Sequence, residues 1–151
     1  MTAAAPGQGF QIRTATVADI DALLATWQAA GLECKPHGRD RRDRLEQQLR
    51  AAPRSFLLAS DGDLVVGAVL ATHDGRKGWI NRLAVIPAYR RRGVAQQLVR
   101  SAEIELERQG LEIICALVEE GNAPSCGVFE SLGYAADVPV HYYRKRAHPD
   151  A

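Results

Sequence analysis

The chain has 151 residues, enough for one domain with a sizeable hydrophobic core and without disulfide or metal staples. Nineteen Lys and Arg against 18 Asp and Glu leave a formal charge of +1, which argues against a general polyanion binder. A hydrophobic fraction of 46% with 25% charged residues argues against disorder, and no run of about 18 apolar residues is present to span a membrane.

Met1 to Gly9 lacks the basic and apolar regions of a secretory signal and reads as a flexible tail of small residues. A cytoplasmic protein is expected, with neither a membrane nor a nucleic-acid partner. One domain is expected over 10–146, followed by a short C-terminal tail over 147–151. Phe10 to Thr14 alternates as a short strand. Thr16 followed by Asp19 resembles a capping box, with Asp in place of the usual Glu. Ile20, Leu23, Leu24 and Trp27 then recur at helical spacing, and Gly31 can stop that helix. The charged stretch Arg39 to Arg50 holds Leu45 and Leu49 four apart, which predicts a second, more exposed helix ended by Pro53. Ser55 to Ala59 and Leu64 to Thr72 form a hairpin through Asp61-Gly62-Asp63. A second turn over 74–78 feeds a strand from Trp79 to Ile86, closed by Pro87. From Gly93 onward, Val94, Leu98, Ala102 and Leu106 share a helical face, and Gly110 ends the element. Ile113 to Val118 reads as a buried strand, Pro124 to Leu132 as a short helix, and Gly133-Tyr134 turns into a last extended region ending near Arg144.

Hairpins come first and a strand–helix–strand crossover later. This order predicts an α/β protein with a mixed sheet and helices on both faces. The three cysteines, Cys34, Cys115 and Cys126, are odd in number and lack metal-ligand spacing, so no metal is expected.

The stretch Leu83 to Gln96 carries the most chemistry. A strand ends, Pro87 stops it, and the basic turn Arg90-Arg91-Arg92-Gly93 opens a long amphipathic helix. The first N–H groups of a helix have no internal partners, and the dipole there favours negative charge. Gly93 lets backbone approach a ligand, Ala95 adds little bulk, and three arginines supply charged donors, so the segment suits a phosphate or pyrophosphate. A solvated surface turn is the competing reading of the arginines alone. A P-loop fails because no Gly-Lys-Ser/Thr follows, and a dinucleotide fingerprint fails for want of three spaced glycines.

Arg90-x-x-Gly93-x-Ala95, after Leu83-x-Val85-x-Pro87, resembles the acyl-CoA signature of the GNAT superfamily of N-acetyltransferases. Asn122, followed by Phe129-Glu130-Ser131-Leu132-Gly133-Tyr134, is similar to the second motif of that family. The resemblance implies a mostly antiparallel central sheet that splays at the cofactor site. It also implies acetyl-CoA as co-substrate, and a small-molecule or protein amine as acceptor. Backbone groups of Leu83 and Val85, with Ala84 between them, would bond the pantetheine arm. Arg90 and the amides of Arg91, Arg92, Gly93, Val94, Ala95 and Gln96 would hold the pyrophosphate. Asn122 would bond the pantetheine, and Phe129 would lie near the thioester sulfur. A neutral amine would attack the acetyl carbonyl directly, with the N–H near Val85 stabilising the oxyanion. Homodimers are common among such proteins.

Two positions depart from the pattern. Phe129 stands where the family often has a Tyr that protonates the leaving thiolate. Ser125, Cys126, Tyr134, Tyr142, Tyr143, water or no acid at all remain as alternatives, with water or no acid favoured. No carboxylate lies between Trp79 and Ile86, so the amine's proton would leave through water near Asn81, or to Glu119 or Glu120, of which Glu119 is the chosen candidate. The acceptor side draws on Glu33, Cys34 and His37, on His73, Asp74, Trp79, Asn81 and Arg82, and on His141, Tyr142 and Tyr143. Glu33, His73, Asp74, Trp79, Arg82 and Tyr142 are the candidates carried forward. Glu33 and Asp74 suit a cationic amine, and Arg82 an acceptor with a carboxylate. A non-catalytic acyl-CoA-binding module is the alternative function, and a nucleic-acid surface a more distant one.

Overall fold

The computed structural model of the chain describes residues 9–137 and 139–151, so the tail expected over 1–9 lies, apart from Gly9, outside the described residues. The strands are β1 (Gln11–Thr14), β2 (Phe56–Asp61), β3 (Leu64–His73), β4 (Gly78–Val85) and β5 (Ile114–Ala116). The α-helices are α1 (Ile20–Ala29), α2 (Arg42–Ala51), α3 (Val94–Arg108) and α4 (Ala123–Ser131). The strands lie in sequential order in one sheet; β1 to β4 are antiparallel and β5 runs parallel to β4. The crossover that a parallel neighbour requires is α3.

Both faces of β2 and β3 are buried, which explains their near-continuous apolar sequences. Leu57, Ala59, Val66, Val69 and Ala71 pack with Val94, Leu98 and Ala102 of α3 and Phe129 of α4. Phe56, Leu58, Val65 and Ala68 pack on the other face, with Ile20, Leu23 and Trp27 of α1 and Leu45 and Leu49 of α2. The mixed sheet with helices on both faces is the architecture expected from the element order.

Local chemistry sets the boundaries. Thr16 N–H donates to Asp19 Oδ2 at 2.8 Å, fixing the short 3-10 turn that leads into α1. Helix α2 starts at Arg42 and not at Arg39, because Asp40 is tied back to Lys35 N–H at 2.7 Å and holds 36–40 in turns. Strand β5 keeps three residues of the six expected. The last extended region adds no strand among the described residues. The C-terminal residues fold back on the α1–α2 loop, where Asp150 leaves no room for a Cβ at Gly38. No helix among the described residues is long and apolar enough to cross a membrane.

A bulge in β4 shapes everything that follows. Between the pairs Ala68–Ala84 and Leu70–Asn81, β3 advances two residues and β4 three. The irregularity coincides with Arg82, whose φ is +54°, a left-handed conformation costly for a non-glycine residue. Strict alternation would place residues 80, 82 and 84 on one face. Ile80 faces α3, whereas Arg82 stacks over Trp27 and Ala84 packs among the α1 residues. The extra residue therefore switches faces at Arg82.

Candidate active site

The sheet opens immediately beyond Ile80. Strand β4 pairs with β5 only through Gly78, Trp79 and Ile80, so Asn81 to Val85 continue with β3 alone. Ile86 N–H donates to Val66 O at 2.9 Å. Backbone groups alternate sides along a strand, so the N–H and C=O of Val85, and of Leu83 two residues earlier, face the gap left by β5. Arg90 Nε donates to Val85 O at 3.1 Å, which leaves the Val85 N–H as the donor in the opening. The Ala84 side chain is buried in the sheet core.

The start of α3 borders this gap. After the turn Pro87–Tyr89, Arg91 has φ +63° and Gly93 φ +78°, and the chain enters the helix from that left-handed step. A Cβ on Gly93 would meet nothing within 4 Å, so glycine is required there for its conformation and not for space. The first helical bond is Gln97 N–H to Gly93 O at 3.1 Å, so the N–H groups of Val94, Ala95 and Gln96 precede the intrahelical ladder. Helix α3 is 15 residues long and its dipole adds to their pull on an anion. The same end of α3 is seated on β3: a Cβ at Gly67 would come within 3.0 Å of Ala84 O and of Leu98 Cδ1, and 3.1 Å of Val94 Cγ1. Gly67 lies opposite Val85, which fixes the helix start beside the open edge.

The three arginines of the turn do different things. Arg90 bonds Val85 O and, through Nη2, Ala30 O at 3.1 Å, clipping the end of α1 to the end of β4. Arg92 stacks 4.8 Å over the Tyr89 ring, and the Tyr89 hydroxyl donates to Asp61 Oδ2 at 2.7 Å. Arg91 is exposed.

Helix α4 begins at Asn122, whose Oδ1 accepts from Ser125 N–H at 3.3 Å as a cap. Phe129 is buried edge-on against Tyr134, with ring centroids 5.1 Å apart. The Tyr134 hydroxyl donates to Glu103 Oε1 at 2.7 Å, and burial together with Glu103 pushes its pKa well above the usual phenol value. A phenol so placed is a poor proton donor to anything else. Glu119 and Glu120 are exposed in the loop after β5.

The acceptor candidates separate. Trp79, Asn81 and Arg82 lie on the face of β4 that meets α1, and Asn81 Nδ2 approaches Thr72 Oγ1 at 3.4 Å. Glu33 is exposed and paired with Lys35 Nζ at 3.1 Å, which holds its carboxyl below the usual range. Tyr142 is exposed and lines a cleft with Arg82. His73 and Asp74 do not join them. They end the β3–β4 hairpin at the pair His73–Gly78, seven residues from Val85 or roughly 23 Å along the strand. There Asp74 Oδ1 accepts from the N–H groups of Arg76 and Lys77, and His73 Nδ1 accepts from Gly75 N–H, so both side chains shape a turn. Gly67 and the clip by Arg90 were not legible as parts of the site. Neither was the meeting of Arg39 with Arg144, Lys145 and Arg146, although the basic run over 144–146 was a visible signal.

The chain is similar in sequence and in fold to known proteins. The sequence profile described as the acetyltransferase (GNAT) family matches residues 20–134. The acetyltransferase ECA0875 of Pectobacterium atrosepticum is 32% identical over 124 residues, covering 82% of this chain and 86% of its own length. Among solved structures, AAC(6')-Iy in complex with the bisubstrate analogue CoA-S-monomethyl-acetylneamine has a TM-score of 0.75 at 19% identity, over 91% of this chain and 99% of that one. YncA from Salmonella typhimurium, solved with its cofactor acetyl-CoA, has a TM-score of 0.71 at 23% identity, over 87% of this chain and 82% of that one.

Proposed function

The chain belongs to the acetyltransferase (GNAT) family, and from that premise we propose that it transfers an acetyl group from acetyl-CoA to an amine by direct attack in a ternary complex. The observation that carries this reading is the unpaired edge of β4 ending beside the free first-turn amides of α3. The residues fit the co-substrate. An extended amide-bearing arm matches a strand edge, and a pyrophosphate matches the start of a helix. Acetyl-CoA supplies the thioester carbonyl that the amine attacks.

The protein's own part is positioning and electrostatics. Leu83 and Val85 offer backbone groups to the arm, and the amides from Arg91 to Gln96, with the Arg91 side chain, hold the pyrophosphate. Arg90 acts one step back, by fixing the Val85 carbonyl so that the Val85 N–H points into the opening. That N–H stabilises the charge that develops on the carbonyl oxygen during attack. Asn122 caps α4 through Oδ1 and keeps its amide NH2 for the arm. Phe129 packs the wall near the sulfur and gives no proton. Tyr134 is committed to Glu103, which removes one of the candidate acids, and in this reading the thiolate leaves without a side-chain acid or takes a proton from water. The amine's proton leaves through water beside Asn81, with Glu119 in the loop after β5 as the carboxylate to receive it.

Incubation with acetyl-CoA and a panel of primary amines, followed by assay of free CoA thiol, tests the reading. Amine-dependent thiol release is expected. Acetyl-CoA binding without release for any amine would make the chain an acyl-CoA-binding module instead.

A further inference from the structure

Three separate stretches of chain bring their cations to one place. A cleft of about 380 Å³ is lined by Arg39 of the α1–α2 loop, Arg82 of the β4 bulge, and Tyr142, Arg144, Lys145 and Arg146 of the C-terminal segment. Its size is at the lower end for small-molecule sites and too small for a folded partner.

Arg82 is the fixed member. Its guanidinium stacks 4.1 Å over Trp27, Nη1 donates to Glu33 O at 2.8 Å, and Nη2 lies 3.5 Å from Cys34 Sγ. Its Nε is buried and has no hydrogen-bond partner. The left-handed bulge places this side chain one residue from Leu83, whose backbone faces the opening.

The neutralising charge is small. Asp40 lies 3.9 Å from Arg82 Nη2 and 3.9 Å from Arg39 Nε while also accepting from Lys35 N–H, so one carboxylate is divided among three donors. Glu33 pairs with Lys35 and is attracted more weakly by Arg39 and Arg146. Arg144 and Lys145 form no ion pair among the described residues. Arg39 Nη1 already donates to a main-chain oxygen of Ala151, the last residue of the sequence, at 3.3 Å, and Arg146 Nη1 donates to Pro149 O at 3.2 Å. Five cations face the Asp40 carboxylate, the Ala151 end of the chain and, at longer range, Glu33, so positive charge is in excess and an entering anion relieves the remaining repulsion.

We infer that the acceptor is a small amine that also carries a carboxylate, of the amino-acid type, its anionic group held in this cleft beside the bulge. The inference rests on the transferase reading above and selects among its acceptors. A polycationic amine meets the wrong sign of charge here.

The test compares α-amino acids with the same compounds as carboxamides, and with spermidine, by thiol release at saturating acetyl-CoA. The expected preference for the acid over its amide is about 10- to 100-fold in kcat/KM, the worth of one or two charged hydrogen bonds. Arg82→Gln should raise the KM for the acid. Because Arg82 also holds the α1–α2 loop, the exposed pair Arg144→Gln with Lys145→Gln provides a second variant. It should reduce the preference several-fold while leaving the KM for acetyl-CoA unchanged. Thiol release with equal or better use of the amide or spermidine would overturn the acceptor class and leave the transferase standing. If acetyl-CoA binds and nothing releases thiol, the transferase reading falls. Calorimetry of glutamate against its diamide on the CoA-loaded protein then decides the cleft separately, and equal or absent binding of both overturns it.

Discussion

A guanidinium that already donates to two backbone carbonyls has little left to offer a ligand, and its neighbours in sequence need not share that fate. Arg90 links Val85 O and Ala30 O, whereas Arg91 is exposed and pairs with no carboxylate among the described residues. Arg90→Gln should therefore lower stability by about 1 kcal/mol and reduce kcat through loss of the Val85 geometry. Arg91→Gln should raise the KM for acetyl-CoA several-fold at unchanged melting temperature. Thermal unfolding and steady-state kinetics on the two variants separate these effects. Tyr134 belongs to the same scale. Its hydroxyl is committed to Glu103 and its pKa is raised by burial, so Tyr134→Phe should cost about 1 kcal/mol of stability with kcat retained. A loss of kcat of about 100-fold would instead identify it as the acid. The sequence motif named Arg90, Arg91 and Arg92 alike, because composition cannot tell a charge that binds ligand from one that binds backbone.

At the scale of elements, the start of α1 and the seat of α3 carry separate expectations. Arg13 donates to both oxygens of Asp19 at 2.7 and 2.8 Å, and this bond, supported by the N–H of Thr16, lowers the Asp19 pKa to about 2. A depressed carboxyl pKa contributes stability that is present above the unfolded value of about 4 and is lost as pH falls through the folded value. Urea unfolding at stepped pH should show this loss between about 4 and 2, and Asp19→Asn should flatten that window while costing about 1 kcal/mol at neutral pH. Gly67→Ala should push α3 away from β3 and cost about 1–3 kcal/mol, because the new methyl meets the backbone oxygen of Ala84 as well as movable side chains. A weaker hold on acetyl-CoA should accompany it, read as a higher KM. Legibility differed between these elements for a physical reason. The cap at Thr16 and Asp19 and the apolar runs of β2 and β3 are local signals. The bulge at Arg82 depends on pairing with a strand elsewhere, and no local preference announces a left-handed arginine. Strand β5 pairs with β4 only as far as Ile80, short of the bulge at Arg82.

For the molecule as a whole, a net charge of +1 conceals two positive regions, one at the start of α3 and one where Arg39, Arg82 and the 144–146 run converge. The first was legible because its residues are contiguous. The second was not, because folding brings it together from three places. The same applies to His73 and Asp74, which look chemical in sequence but fall at the closed end of the hairpin, away from the opening. The proposed path of the co-substrate runs along Leu83 to Gln96, past the open edge of β4 to the start of α3. Amide NMR of the labelled protein during titration with acetyl-CoA tests that placement most directly. The largest shifts are expected at Leu83, Val85 and the amides from Arg91 to Gln96, with His73 to Lys77 unmoved. Shifts centred on any other surface, with those amides unchanged at saturation, would contradict it.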